Sequence, residues 1–255
     1  MPHLADSALA PSPLLTLIEG RAVFELAALV ASYPVLRRVA RGDGHAVLVL
    51  PGLGASDRST GPLRSFLGDR GYDAHGWSLG RNVGHREGQR EALADLVGRL
   101  RERSKRKVSL IGWSLGGIYA REVAKRMPEN IRLVITLGSP FANPGATAVR
   151  RIYEAIRGGP IAGGDFTRFR ASPPVPSTAI FSKSDGVVAW QSCLEPDGPQ
   201  TENIEVAGSH VGLGVNPVAL YVIADRLAQV EGAWAPFDRK GLRALMFGPA
   251  QKANF

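Results

Sequence analysis

The chain has 255 residues, 44% of them hydrophobic, a length at which one α/β domain buries a full core without metals or disulfides. A single cysteine, Cys193, excludes an intrachain disulfide, and the 30 glycines and 18 prolines are spread as turn punctuation, with no repeat and no low-complexity tract. A formal net charge of +8 favours anionic surfaces, but its densest run, Arg99 to Lys107, lacks interleaved aromatics and reads as a solvated helix end; this argues against nucleic acid and leaves open a peripheral contact with an anionic membrane.

Residues 1–44 read as an N-terminal helical segment packed on the core. Its helix, 13–39, is so apolar between Leu14 and Val30 that both faces need cover: from the body of the domain, from a dimer partner, or from a membrane entered shallowly. The opening residues lack the positive start of a signal peptide. Glu19, Arg21 and Glu25 interrupt the apolar stretch, which argues against a spanning helix of roughly 18 or more apolar residues, so the expected location is the cytoplasm.

From Ala46 short apolar runs alternate with amphipathic helical patterns, the mark of parallel βα units. Strands are expected at Ala46 to Leu50, Tyr72 to Trp77, Val108 to Gly112, Leu133 to Leu137, Thr178 to Phe181 and Asn203 to Val206. Runs such as VLVL and LVITL suit strands buried on both faces. Helices are expected at Gly61 to Arg70, capped by Ser59 or Thr60, and at His85 to Arg103, Leu115 to Met127 and Pro217 to Val230. The stretch 141–176 breaks this rhythm and reads as a lid or cap inserted into a domain of residues 45–235. It carries Phe141, Ile152, Tyr153, Ile156, Ile161, Phe166 and Phe169 beside Arg150, Arg151, Arg157, Arg168 and Arg170. These could line an acyl pocket and meet an anionic headgroup, or simply pack on the domain. Residues 236–255 are a tail with a little amphipathic helix.

The chemistry centres on Gly112-Trp113-Ser114-Leu115-Gly116, a GxSxG sequence between an apolar strand and a helix. A sharp strand-to-helix turn exposes the serine, and glycines two before and two after it let the neighbouring backbone pass close. A serine hydroxyl needs a base to become a nucleophile at neutral pH. Only His210, in GSHVGLG after the last expected strand, follows Ser114; His3, His45, His75 and His85 precede it and read as structural or surface residues. Asp185, in SKSDGVV after the fifth expected strand, suits the acid that orients the histidine, with Gly186 permitting the tight turn that aims it; the alternative is a turn residue that caps the next helix. Asp165, Glu195 and Asp197 are the fallbacks. The oxyanion of a tetrahedral intermediate would be met by the backbone N–H groups of Leu115 and of Leu53, in Pro51-Gly52-Leu53-Gly54. Trp113 and Phe141 are expected at the substrate; Asn82 either bonds near the pocket or stabilises its own loop, the loop being the favoured reading.

The order serine, acid, histidine, together with this glycine loop, resembles the α/β-hydrolase superfamily, its serine esterase and lipase branches, over about residues 45–230. Many lipases and esterases begin the oxyanion loop with His-Gly; Pro51 stands in the histidine's place here, without removing the backbone donor. The resemblance implies an α/β-hydrolase fold, a mainly parallel sheet of about six strands flanked by helices, with an N-terminal helix where larger members have antiparallel strands. It implies hydrolysis of a small-molecule or lipid carboxylic ester through an acyl-Ser114 intermediate, with neither cofactor nor metal. Thioester hydrolysis and acyl transfer use the same residues. A non-catalytic relative that binds a lipid or a partner is the alternative of another class, and the oligomeric state stays open.

Overall fold

The computed structural model describes residues 5, 7–84, 86–150, 154–155, 167–251 and 253. Among them, six strands form one sheet: β1 (Ala46–Leu50), β2 (Asp73–Gly76), β3 (Val108–Trp113), β4 (Ile131–Leu137), β5 (Ser177–Phe181) and β6 (Thr201–Glu205). Their order is β2-β1-β3-β4-β5-β6 and every pairing is parallel. The helices are α1 (Pro13–Leu17), α2 (Ala22–Leu36), α3 (Gly61–Asp69), α4 (Gln89–Ser104), α5 (Leu115–Arg126) and α6 (Pro217–Leu227), with shorter turns between them.

Strand periodicity divides β1 between two cores. Val47 and Val49 face α2, α3 and α6 through Leu29, Leu36, Phe66, Leu220 and Ile223; Ala46, Leu48 and Leu50 face α4 and α5 through Leu93, Val97, Ala120 and Val123. A parallel sheet covered on both faces wants continuous apolar strands, which is why β1, β4 and β5 are buried at every residue.

The strand ends that differ from expectation are those where a polar group is paired. Arg132 is buried inside β4, which begins at Ile131, because its guanidinium donates to Asp43 at 2.8 Å and to the Gln229 carbonyl. β6 starts earlier, at Thr201, since Glu202 pairs with Arg226 at 2.9 Å. β2 is shorter than the apolar run because the Asp57 carboxylate accepts the Trp77 and Ser78 amides at 2.9 and 3.0 Å and draws the chain off the sheet edge. Thr60 stands at the cap position of α3 but makes no capping bond. Its hydroxyl donates to the Asp57 carbonyl and accepts from Arg64, both at 3.2 Å.

The N-terminal helix is broken by a 3₁₀ turn, Ile18–Arg21, between α1 and α2. Leu29 and Leu36 enter the core, whereas Leu14, Leu17, Val23, Phe24, Val30 and Val35 are exposed. Among the described residues no helix is long and apolar enough to cross a membrane. Of the residues singled out in sequence, His3, His85, Arg151, Ile152, Tyr153, Ile156, Arg157, Ile161, Asp165 and Phe166 lie outside the described ones.

The described parts of 141–176 are tied down by a buried ion pair between Arg121 and Glu195. Arg121 donates to the Phe169, Arg170 and Ala171 carbonyls at 3.3, 3.1 and 3.0 Å and lies over the Phe141 ring, 3.7 Å from its centroid. Glu195 accepts the Ser172 and Ser177 hydroxyls at 2.8 and 2.7 Å. Arg121→Met strands the Glu195 charge in the interior, and a loss of about 3–5 kcal/mol is expected by urea denaturation. A loss under about 1 kcal/mol, the range of a surface pair, would show that water reaches the pair.

Candidate active site

The sheet order places β2 and β3 on opposite sides of β1, which makes the carboxyl ends of β1 and β3 the topological switch point of a parallel sheet, the place where such sheets bind ligands. Ser114 follows β3 directly, with φ 52° and ψ −122°, a backbone state that L-residues adopt only under constraint. Two contacts hold it there: its N–H donates to the Leu137 carbonyl at 2.8 Å, and its carbonyl accepts from Gly117 at 3.0 Å. The glycines make the bend sterically possible. A Cβ on Gly112 would stand 2.3 Å from Gly117 Cα, one on Gly116 would stand 2.4 Å from the Leu50 carbonyl oxygen, and one on Gly52 would stand 3.2 Å from Ser114 Cβ. Ser114 is half-buried, and its hydroxyl makes no hydrogen bond among the described residues.

Asp185 and His210 are brought together at 2.7 Å, Oδ2 to Nδ1, both buried, in the loops after the neighbouring strands β5 and β6. The other carboxylate oxygen of Asp185 accepts the Val187 and Val188 amides at 2.8 and 2.7 Å, so the same side chain closes a turn and faces the imidazole. Gly186 serves another purpose than that turn: a Cβ there would stand 2.2 Å from the Leu15 carbonyl oxygen, so the glycine admits the N-terminal segment. Burial pushes the His210 pKa down, but the charge of Asp185 and its hydrogen bond outweigh this, and the net direction is up from 6.5.

The remaining expected residues fall in three places. Leu53 lies in the loop after β1, and its amide makes no hydrogen bond among the described residues; Leu115 is the first residue of α5, where an N–H has no intrahelical acceptor. Trp113 donates its indole N–H to the His210 carbonyl at 3.1 Å, which links the residue before Ser114 to the histidine loop. Phe141 is elsewhere, fully buried beneath Arg121 in a cluster with Ile118, Ala142 and Ala179. Of the fallback acids, Glu195 is engaged by Arg121 and Asp197 is exposed.

Asn82 and Gly138 also shape this end of the sheet. Asn82 is fully buried and, beyond its own loop, braces that of Leu53: its amide group donates to the Pro51 carbonyl at 2.8 Å, and its backbone exchanges bonds with Gly54 and Ala55 at 2.6 and 2.7 Å. Gly138, at φ 53°, leaves room for the acid and histidine, since a Cβ there would lie 3.0 Å from His210 Nδ1 and 3.1 Å from Asp185 Oδ2. The glycine at the end of LVITLG was the available signal.

An acid, a histidine and a serine also meet at the opposite end of the strands. His45 contacts Asp43 at 2.5 Å and Ser109 Oγ at 2.8 Å, yet Ser109 is fully buried inside β3, and burial lowers the His45 pKa where that of His210 is raised. That cluster is structural. His75 sits on edge strand β2, paired with Asp73 at 2.8 Å.

Residues 21–248 match the Alpha/beta hydrolase family. The chain belongs to that family. Over 128 residues it is 36% identical to Serine hydrolase BPHL of Homo sapiens, covering 46% of this chain and 43% of that protein. It is 32% identical over 98 residues to the pimeloyl-(acyl-carrier protein) methyl ester esterase of Shewanella woodyi, covering 38% and 37%. The matched regions thus span less than half the length of these relatives. The crystal structure of Aspergillus fumigatus lipase B superposes with a TM-score of 0.59 at 18% identity, over 75% of this chain and 54% of that one, a likeness of fold. In this α/β hydrolase the serine turn depends on an absent side chain at Gly112, so Gly112→Ala is expected to cost about 1–3 kcal/mol by overpacking. An unchanged urea midpoint would mean that the turn relaxes freely.

Proposed function

We propose that this α/β hydrolase is a serine hydrolase that cleaves carboxylic esters, with Ser114 as nucleophile, His210 as general base and Asp185 as the acid that orients it. The observation that carries this reading is the buried Asp185–His210 bond of 2.7 Å at the same sheet end as the left-handed Ser114 turn. His210 takes the Ser114 proton as the oxygen attacks the ester carbonyl, and the amides of Leu53 and Leu115 receive the oxyanion. Collapse expels the alcohol, protonated by His210, and leaves acyl-Ser114; water, deprotonated by the same imidazole, then releases the acid. This sequence needs no cofactor. The name of one sequence relative, a methyl ester esterase, supports an ester as substrate, and that of the other, a serine hydrolase, supports a serine nucleophile. On this reading residues 45–235 are the catalytic domain, 141–176 its cap and 236–255 a tail.

A series of nitrophenyl esters from acetyl to palmitoyl tests it. Turnover is expected from the wild type and not from Ser114→Ala, with a fluorophosphonate labelling Ser114. Turnover that survives in Ser114→Ala would exclude the nucleophile; neither turnover nor labelling in the wild type would favour a protein that only binds its lipid or partner.

The pH profile supplies an independent check. A base must be neutral to take a proton, and the His210 pKa is raised, so kcat/KM is expected to fall as pH drops through a value above that of an ordinary histidine, 6.5. Asp185→Asn removes the charge that raises it, so the acid limb should move to lower pH while kcat drops by about 10⁴-fold. An acid limb that stays put in Asp185→Asn would dissociate the two residues.

A further inference from the structure

The charges that interrupt the apolar N-terminal segment all turn inward, onto the loops of Asp185 and His210. Glu19 is buried in the 3₁₀ turn between α1 and α2. One of its carboxylate oxygens accepts the Gly186 amide at 2.7 Å and the His210 amide at 3.0 Å; the other accepts the Val211 amide at 2.9 Å. A single side chain thus spans the residue after the acid, the histidine itself and the residue after that.

Its neighbours bind the same two loops. Arg21 donates to the Ser184 carbonyl and, at 3.1 Å, to the Gly208 carbonyl. Glu25 accepts the Ser209 amide at 2.6 Å, and the Thr16 hydroxyl donates to the Gly186 carbonyl at 2.6 Å. Within the domain the loops are also joined by the Ser182 and Ser184 hydroxyls, which donate to Gly208 at 2.7 and 3.0 Å.

Without Glu19 the three amides have no acceptor in their loops, and a buried N–H without a partner drives the backbone to move until it finds one. Moving His210 by an ångström breaks its 2.7 Å bond to Asp185 and shifts the base relative to Ser114, a displacement on which acid–base catalysis depends steeply. We propose that Glu19 is a positioning residue of the active site, and that the N-terminal segment is a strap holding the acid and histidine loops in catalytic register. This rests on the Ser114–His210–Asp185 reading above. The ionisable groups facing His210 are Asp185 from the β5 loop and Glu19 from the strap; Arg21 donates to the carbonyl, and Glu25 accepts the N–H, of the peptide unit between Gly208 and Ser209. The Glu19 charge adds to that of Asp185 in holding a proton on the imidazole.

The test compares wild type, Glu19→Gln and Glu19→Ala by nitrophenyl acetate kinetics against pH, fluorophosphonate labelling rate and Tm. For Glu19→Ala, kcat is expected to fall by about 10²-fold with KM much less affected. Glu19→Gln keeps the volume and one acceptor oxygen, so it should retain more activity, with its acid limb moved to lower pH because one negative charge is gone. If Glu19→Ala does not fold, Glu19→Gln decides. A lower Tm with kcat and the acid limb at their wild-type positions would overturn the proposal and leave Glu19 a brace of the fold alone. Failure of the underlying reading looks different: wild type itself would then show no Ser114 labelling, whatever the Glu19 variants do.

Discussion

The structure depends on a steric constraint, the crowding of backbone where β1 and β3 end. The turn at Ser114 carries the chain from strand into α5 so tightly that Gly112 faces the backbone of Gly117, and Gly116 faces the carbonyls of Leu50 and Pro51 at the end of β1. Side chains at those positions would push α5 away from β3 and β1, and Ser114 would leave the switch point with it. Fixing β3 against β1 also aligns β4, whose Leu137 carbonyl holds the Ser114 amide, and then β5 and β6, which bring Asp185 and His210 to the same end of the sheet. The serine turn and the seating of α5 on the sheet follow from one set of glycine contacts.

Burial acts on the histidines in opposite ways because their partners differ. His45 lies at the amino end of the strands, enclosed with Asp43, Arg132 and Ser109, where the guanidinium meets the same carboxylate and desolvation prevails. At His210 two carboxylates face the imidazole region and prevail over desolvation. Residue types alone would admit either cluster as a catalytic one. Accessibility and backbone separate them: Ser109 is enclosed within a strand, whereas Ser114 is half-buried in a positive-φ turn at the carboxyl end of β3.

The N-terminal segment inverts the ordinary pattern of a surface helix. Its acids point in and much of its apolar surface points out, since Glu19 and Glu25 satisfy backbone amides of the two loops while Leu17, Val23 and Phe24 stay exposed. A polar residue in an apolar stretch reads from sequence as an interruption of hydrophobicity. Here it is an acceptor matched to donors more than 160 positions away along the chain.

Sequence by itself determined the α/β class and the positions of all six strands to within about two residues, and it singled out Ser114, Asp185 and His210, the residues on which the proposed chemistry rests. These are legible because they are local: apolar runs of strand length, a helical period between them, glycines flanking a serine, and loops that follow strands. The tertiary structure decided what depends on distant partners. It enclosed Arg132 within β4 and Glu202 within β6 because each meets an opposite charge from another element. It set Phe141 beneath Arg121, used Asn82 to brace the loop after β1, and closed Glu19 over the histidine. A hydrogen bond across such separations leaves no periodic trace, since either partner alone is indistinguishable from a solvated polar residue until the fold removes the water.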